Sequence, residues 1–140
     1  MDVCCLNRPF DDQAQDRIYL EAEAILTILS RCENEWTLFS SDVVDLEIAQ
    51  SPHREKREKA RALCSIAKTR LTTNGDVLAR AREHEMSGMH TFDSLHLALA
   101  EANRIDVLLT TDDRFIRAAK RAESAIRVDN PVTWLMEVAR

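Results

Sequence analysis

The chain has 140 residues and a mass of 16.0 kDa, the length of one domain. Apolar side chains make up 45% of it, enough for one core, and 2 Gly with 3 Pro exclude collagen-like or Pro/Gly-rich disordered chains. With 19 basic and 24 acidic side chains the net charge is −5, which argues against gripping a nucleic-acid duplex by bulk positive charge.

No apolar run approaches a membrane span and the first residues do not read as a signal peptide, so a cytoplasmic protein without a membrane partner is expected. Cys4, Cys5, Cys32 and Cys64 lack zinc-knuckle or thioredoxin spacing and read as small buried thiols. Charge is unevenly placed. Residues 1–53 hold 3 basic and 11 acidic side chains, whereas residues 54–72 hold 7 and 2. The basic run REKREKAR from Arg54 reads first as a solvated helix face with local ion pairs, and second as a phosphate-contacting edge.

Taken in order, Val3–Leu6 is a short apolar segment that reads as strand-like, followed by a loop RPFDDQ at Arg8–Gln13. Ile18, Ala22, Ile25, Leu26 and Leu29 recur at helical spacing. WTLFS at Trp36–Ser40 predicts a strand, and Ser41 or Asp42 caps a helix that carries Val44, Glu47 and Ile48. Ala60, Leu63, Cys64 and Ala67 mark another helix, and Thr69–Thr72 a short strand. Asn74-Gly75 opens a helix that runs to about Glu85, and Gly88 breaks the chain again. Thr91 then caps a helix whose body, LHLALA, is apolar enough to be buried. DVLLT at Asp106–Thr110 predicts a strand ending on Asp112 and Asp113, followed by a helix from about Arg114 to Glu123. Ile126–Asp129 is a last strand, ended by Pro131, and Trp134, Leu135 and Val138 pack the tail back on the domain.

Helices alternating with short strands predict one α/β domain over residues 1–140, a mainly parallel central sheet between two helical layers. Sites in such folds lie at the carboxyl ends of the strands. Glycine-rich phosphate loops cannot be built from Gly75 and Gly88, so nucleotide-cofactor readings fall away. What stands at the strand ends instead is carboxylate: Asp2, Glu47, Asp93 and Asp112, with Asp113 beside the last. Four clustered carboxylates repel unless helix N-termini or a divalent cation offset them, and oxygen donors suit Mg2+ or Mn2+. A metal held there would support phosphodiester hydrolysis by activating water and stabilising charge on phosphate. Read singly, each Asp is more often a cap or a turn residue.

The strings DVCCLNRPFDD, SSDVVDLE, TFDSLHLALA and LLTTDDRF resemble the PIN-domain family, in particular its toxin-type, VapC-like branch. The resemblance runs the length of the chain and implies an α/β/α ribonuclease dependent on Mg2+ or Mn2+. The same resemblance implies RNA as substrate, a small antitoxin protein as inhibitor, and a possible homodimer. It places the four acids of the family on Asp2, Glu47, Asp93 and Asp112 as catalytic and metal-binding residues, with Ser40 or Ser41 and Thr110 as the small hydroxyl residues nearby, Ser40 and Thr110 being expected to contact substrate. Arg8 is expected to contact phosphate and Phe10 to stack on a base, or both to anchor their loop, while Arg114 and Arg117 meet the RNA backbone or pair with Asp113. His96, on the same side of its helix as Asp93, reads as a core histidine or as an orienting group.

The family carries several apolar residues ahead of its first acid, as a central strand. Here Met1 alone precedes Asp2, so either the start lies upstream or the first strand is cut short. That departure motivates a second reading, a catalytically weak or inactive PIN-type module that binds RNA or a protein. A response-receiver-like phosphoacceptor shares the acidic rim but lacks the expected late Lys.

Overall fold

The computed structural model describes residues 1–139. It begins with a departure from the strand expected at Val3–Leu6. Val3–Asn7 is a short helix, α1, because Asp2 takes an extended backbone and its carboxylate accepts the Cys5 N–H at 3.1 Å, an N-cap bond. A four-residue apolar segment fits either a strand or a helical turn, and the cap decides it here. α1 buries Val3, Cys5 and Leu6 and leaves Cys4 open.

A single 3-10 turn at Arg8–Phe10 leads to α2 (Asp16–Arg31), β1 (Phe39–Ser41) and α3 (Asp42–Ala49). α4 (Arg54–Cys64), β2 (Thr69–Leu71), α5 (Gly75–Met86) and α6 (Thr91–Ala102) follow. The chain closes with β3 (Val107–Leu109), α7 (Asp113–Arg121), β4 (Arg127–Asp129) and α8 (Pro131–Val138). Ser41, Asn74, Asp112 and Asn130 cap α3, α5, α7 and α8 through their side chains. His90, not Thr91, occupies the cap position of α6 and makes no side-chain cap bond. Pro131 both ends β4 and opens α8, where a missing N–H costs nothing.

Every strand pair is parallel, and helices flank the strands on both sides. β1 pairs with β2 in the register Phe39 to Thr69, and β3 pairs with β4 in the register Val107 to Arg127. Among the described residues these are two separate two-stranded pieces rather than one continuous ladder. An apolar cavity of about 500 Å3, lined by Leu38, Phe39, Val107 and Leu109 together with Trp36 and Trp134, lies between them.

Alternation along β3 defines the layers. Leu108 packs toward Leu97, Phe115 and Val128, under α6 and α7. Leu109 packs the opposite way, toward Ile25, Ile28 and Leu29 of α2, where Trp36 and Trp134 meet edge to face at 4.8 Å. α6 is the buried helix that LHLALA predicts; burying Leu97 and Leu99 stabilises by roughly 1.5–3 kcal/mol each. The outcome that matters for function is placement. β1 hands over to α3, β3 to the cap of α7, and the Asp2 N–H donates to the Leu109 carbonyl at 3.0 Å, so distant acids meet at one rim.

Candidate functional site

Asp2 is 2% exposed and held from several sides. Its carboxylate takes the α1 cap bond and a hydrogen bond from the Thr110 hydroxyl. Burial raises its carboxyl above the usual carboxylate range, opposed by Thr110, His96 and the Cys5 N–H. Thr110 is fully buried, and its Oγ1 also accepts the Asp112 N–H at 3.0 Å. One hydroxyl thus ties the first acid to the backbone of the fourth. The substrate contact expected of Thr110 gives way to this internal bridge, because a residue with no exposed surface has none to offer.

Glu47 sits on α3, its side chain 26% exposed. Nε2 of His96, from α6, lies 2.8 Å from Glu47 Oε1 and donates to it. His96 is buried, as a core histidine would be, yet its hydrogen-bond partner is one of the acids. The pair is separated by 49 positions, beyond the reach of any spacing rule.

Asp93, in the first turn of α6, is half-buried and has no hydrogen-bond partner among the described residues. Its carboxyl is pushed up to about 7, first by burial and then by the nearby charges of Asp2, Asp112 and Glu47, with His96 pulling the other way. Asp112 caps α7, its Oδ1 accepting the Arg114 N–H at 2.9 Å. Asp113 turns away from this group and takes a bidentate ion pair from Arg17 at 2.8 and 2.9 Å, which holds its carboxyl below the usual range.

Two other expected contacts come out differently. Arg8 is committed to the protein: its Nε lies 3.1 Å from buried Glu21 and its Nη1 3.3 Å from Asp11. Ser40 is buried, and its hydroxyl hydrogen-bonds the Cys64 thiol at 2.8 Å. Arg8 nevertheless lines the depression that holds Asp112. Phe10 lies under Lys59 Nζ at 5.3 Å from the ring centroid, as a loop anchor does. Arg114 is exposed, next to Asp112.

One residue was missed outright. Cys4, expected to be buried, is exposed at the rim, its thiol raised by partial loss of solvent and then by Asp2, Glu47, Asp112 and Asp93 in turn. Had Asp2 been read as a helix cap, its first-turn neighbour Cys4 would have been placed beside the acids.

The four acids therefore share one electrostatic neighbourhood. Their oxygen donors have the chemistry Mg2+ or Mn2+ prefers. Their positions do not fit an ion as they stand: among the described residues no three His, Cys, Asp or Glu side chains converge into a metal-holding group. Asp2 and Glu47 spend their oxygens on Cys5, Thr110 and His96 instead.

Against models of known families, residues 4–121 match the PIN domain. The chain belongs to the PIN-domain family. The matched stretch includes Glu47, Asp93 and Asp112, and begins two residues after Asp2. None of the curated proteins compared with the chain matches it. A PIN domain carrying an α/β fold with parallel strands is consistent with nuclease-type chemistry in general. No helix among the described residues is long and apolar enough to cross a membrane.

Proposed function

We propose that this chain is a PIN-type RNA-binding module that is catalytically weak or silent in the arrangement described. One observation carries this reading: the acids that would hold a divalent ion are near enough to perturb one another, yet no three of them converge, and three of the four are bonded to protein donors. An acidic rim flanked by arginines is suited to placing a phosphate chain close to carboxylates without cutting it quickly. The cytoplasm is the proposed setting.

The test is a paired assay on single-stranded RNA. Binding is measured in EDTA and cleavage in millimolar Mn2+. The expected result is binding with slow or no cleavage, unchanged in Asp93→Asn. Rapid cleavage that disappears in Asp93→Asn contradicts it.

A second reading is favoured by the raised carboxyl of Asp93, a sign of charges crowded enough to want a cation. In that reading the chain is a Mg2+- or Mn2+-dependent endoribonuclease, the toxin of a toxin–antitoxin pair, with Asp2, Glu47, Asp93 and Asp112 as the metal and catalytic set. A small antitoxin or a second copy would then need an apolar surface. Tyr19, Leu20 and Leu26 on α2 expose one.

A further inference from the structure

The geometry points to a phosphate-binding track for single-stranded RNA along α7, formed by Arg114, Arg117 and Arg121; it rests on the RNA-binding reading above and locates the strand. The three residues stand at i, i+3 and i+7, within about 60° of one another around the helix and spanning about 10 Å along it. All three are exposed, while Phe115 and Ala119 occupy the opposite, buried side.

None of the three makes an ion pair among the described residues. Arg117 bears on Asp113 only as a longer-range charge. Other basic residues are spent differently. On α4, Arg54 pairs with Glu58 at 3.1 Å, Lys59 with Glu55 at 3.0 Å and Lys56 with Asp11 at 3.6 Å, and Arg57 donates to the Ser51 carbonyl at 2.6 Å. Three of the five cations in the basic block that composition singles out are therefore paired with carboxylates. Among the described residues, α7 carries three guanidinium groups on one face without such a pair.

Helix stability does not account for the stripe. Like charges three and four residues apart repel, and a cation in the first turn, as Arg114 is, opposes the helix dipole. Arg121, in the last turn, is the one member the dipole favours. What the stripe does explain is the surface beside it. Arg114 and Arg117 form the ridge between two depressions. One, of about 420 Å3, holds Asp112; the other, of about 220 Å3, holds Asp93 and His90 and extends to Arg121. Phosphates seated on the ridge carry the strand past both acids, and guanidinium contacts to phosphate bind without reading sequence.

The test is fluorescence anisotropy with a labelled single-stranded RNA of roughly ten nucleotides, in EDTA, across a KCl series. The triple variant Arg114→Gln/Arg117→Gln/Arg121→Gln is expected to weaken Kd at least tenfold. It should also flatten the plot of log Kd against log salt by about 2, since each lost contact removes about 0.7 on a single strand. The all-Lys triple should keep the slope, and Arg82→Gln, an exposed change on α5, should match the parent. Melting curves of the triple confirm that it folds. Parent-like affinity and slope in the Gln triple, with the parent binding RNA, overturn the track alone. No binding by the parent at low salt overturns the RNA-binding reading itself.

Discussion

The acidic rim has two unlike ends. Asp2 and Glu47 are engaged by the protein: a cap N–H, the Thr110 hydroxyl and the His96 ring already donate to their oxygens. Asp93 and Asp112 each line a depression walled by arginines, Asp93 with no hydrogen-bond partner among the described residues and Asp112 with only the Arg114 N–H on one oxygen. A carboxylate satisfied by its own protein contributes to stability and has less to give a ligand, whereas one left half-buried and unbonded costs stability and keeps its oxygens available. The contrast divides the four acids into a structural pair and a ligand-facing pair.

The sharpest way to break that division is to remove the donors of the engaged end. Thr110→Val deletes the hydroxyl shared by Asp2 and Asp112 while keeping its shape. It should cost about 2–3 kcal/mol in urea unfolding, because buried Asp2 is left short of a donor. His96→Leu should cost about 2 kcal/mol by the same measurement and release Glu47 to solvent. A loss below about 0.5 kcal/mol in either variant would mean that the engaged pair is not held as described.

The ligand-facing end should respond with the opposite sign. The Asp93 carboxyl is raised from 3.8 to about 7, so the folded state holds its proton longer than the unfolded state does. Stability from this group is fully present below about pH 4 and is lost as pH climbs to about 7. Asp93→Asn should therefore raise Tm by a few degrees at about pH 8 and by less at about pH 5. A Tm gain independent of pH would break the link to ionisation. The smallest effect should come from Arg54→Gln on α4, which removes an exposed i,i+4 pair. It should change stability by no more than about 0.5 kcal/mol and leave RNA affinity alone.

Much of the fold is readable in the sequence because local chemistry sets it. Ser41, Asn74 and Asp112 announce helix starts by their ability to accept an N–H, and LHLALA leaves α6 no exposed face. Val3–Leu6 misleads because four apolar residues carry no period, and the cap that settles them is the same Asp2 read as a site residue. The division of the sheet is not legible either, since it depends on which strand edges meet in space. Within the site, the acids can be named from their order and their elements, but what each one touches cannot. The His96–Glu47 bond, the Thr110 bridge and the capture of Arg8 by Glu21 all join residues through the tertiary fold. The stripe on α7 becomes visible only once the ion pairs of the other basic residues are located in space.

Calorimetric titration of the RNA-free protein with Mn2+ tests the central claim most directly. Four acids that are coupled but not convergent should give no saturable heat below about millimolar metal, the range expected of weak carboxylate sites. Saturable binding at micromolar Mn2+, abolished by Asp93→Asn, would contradict it and establish a preassembled metal centre.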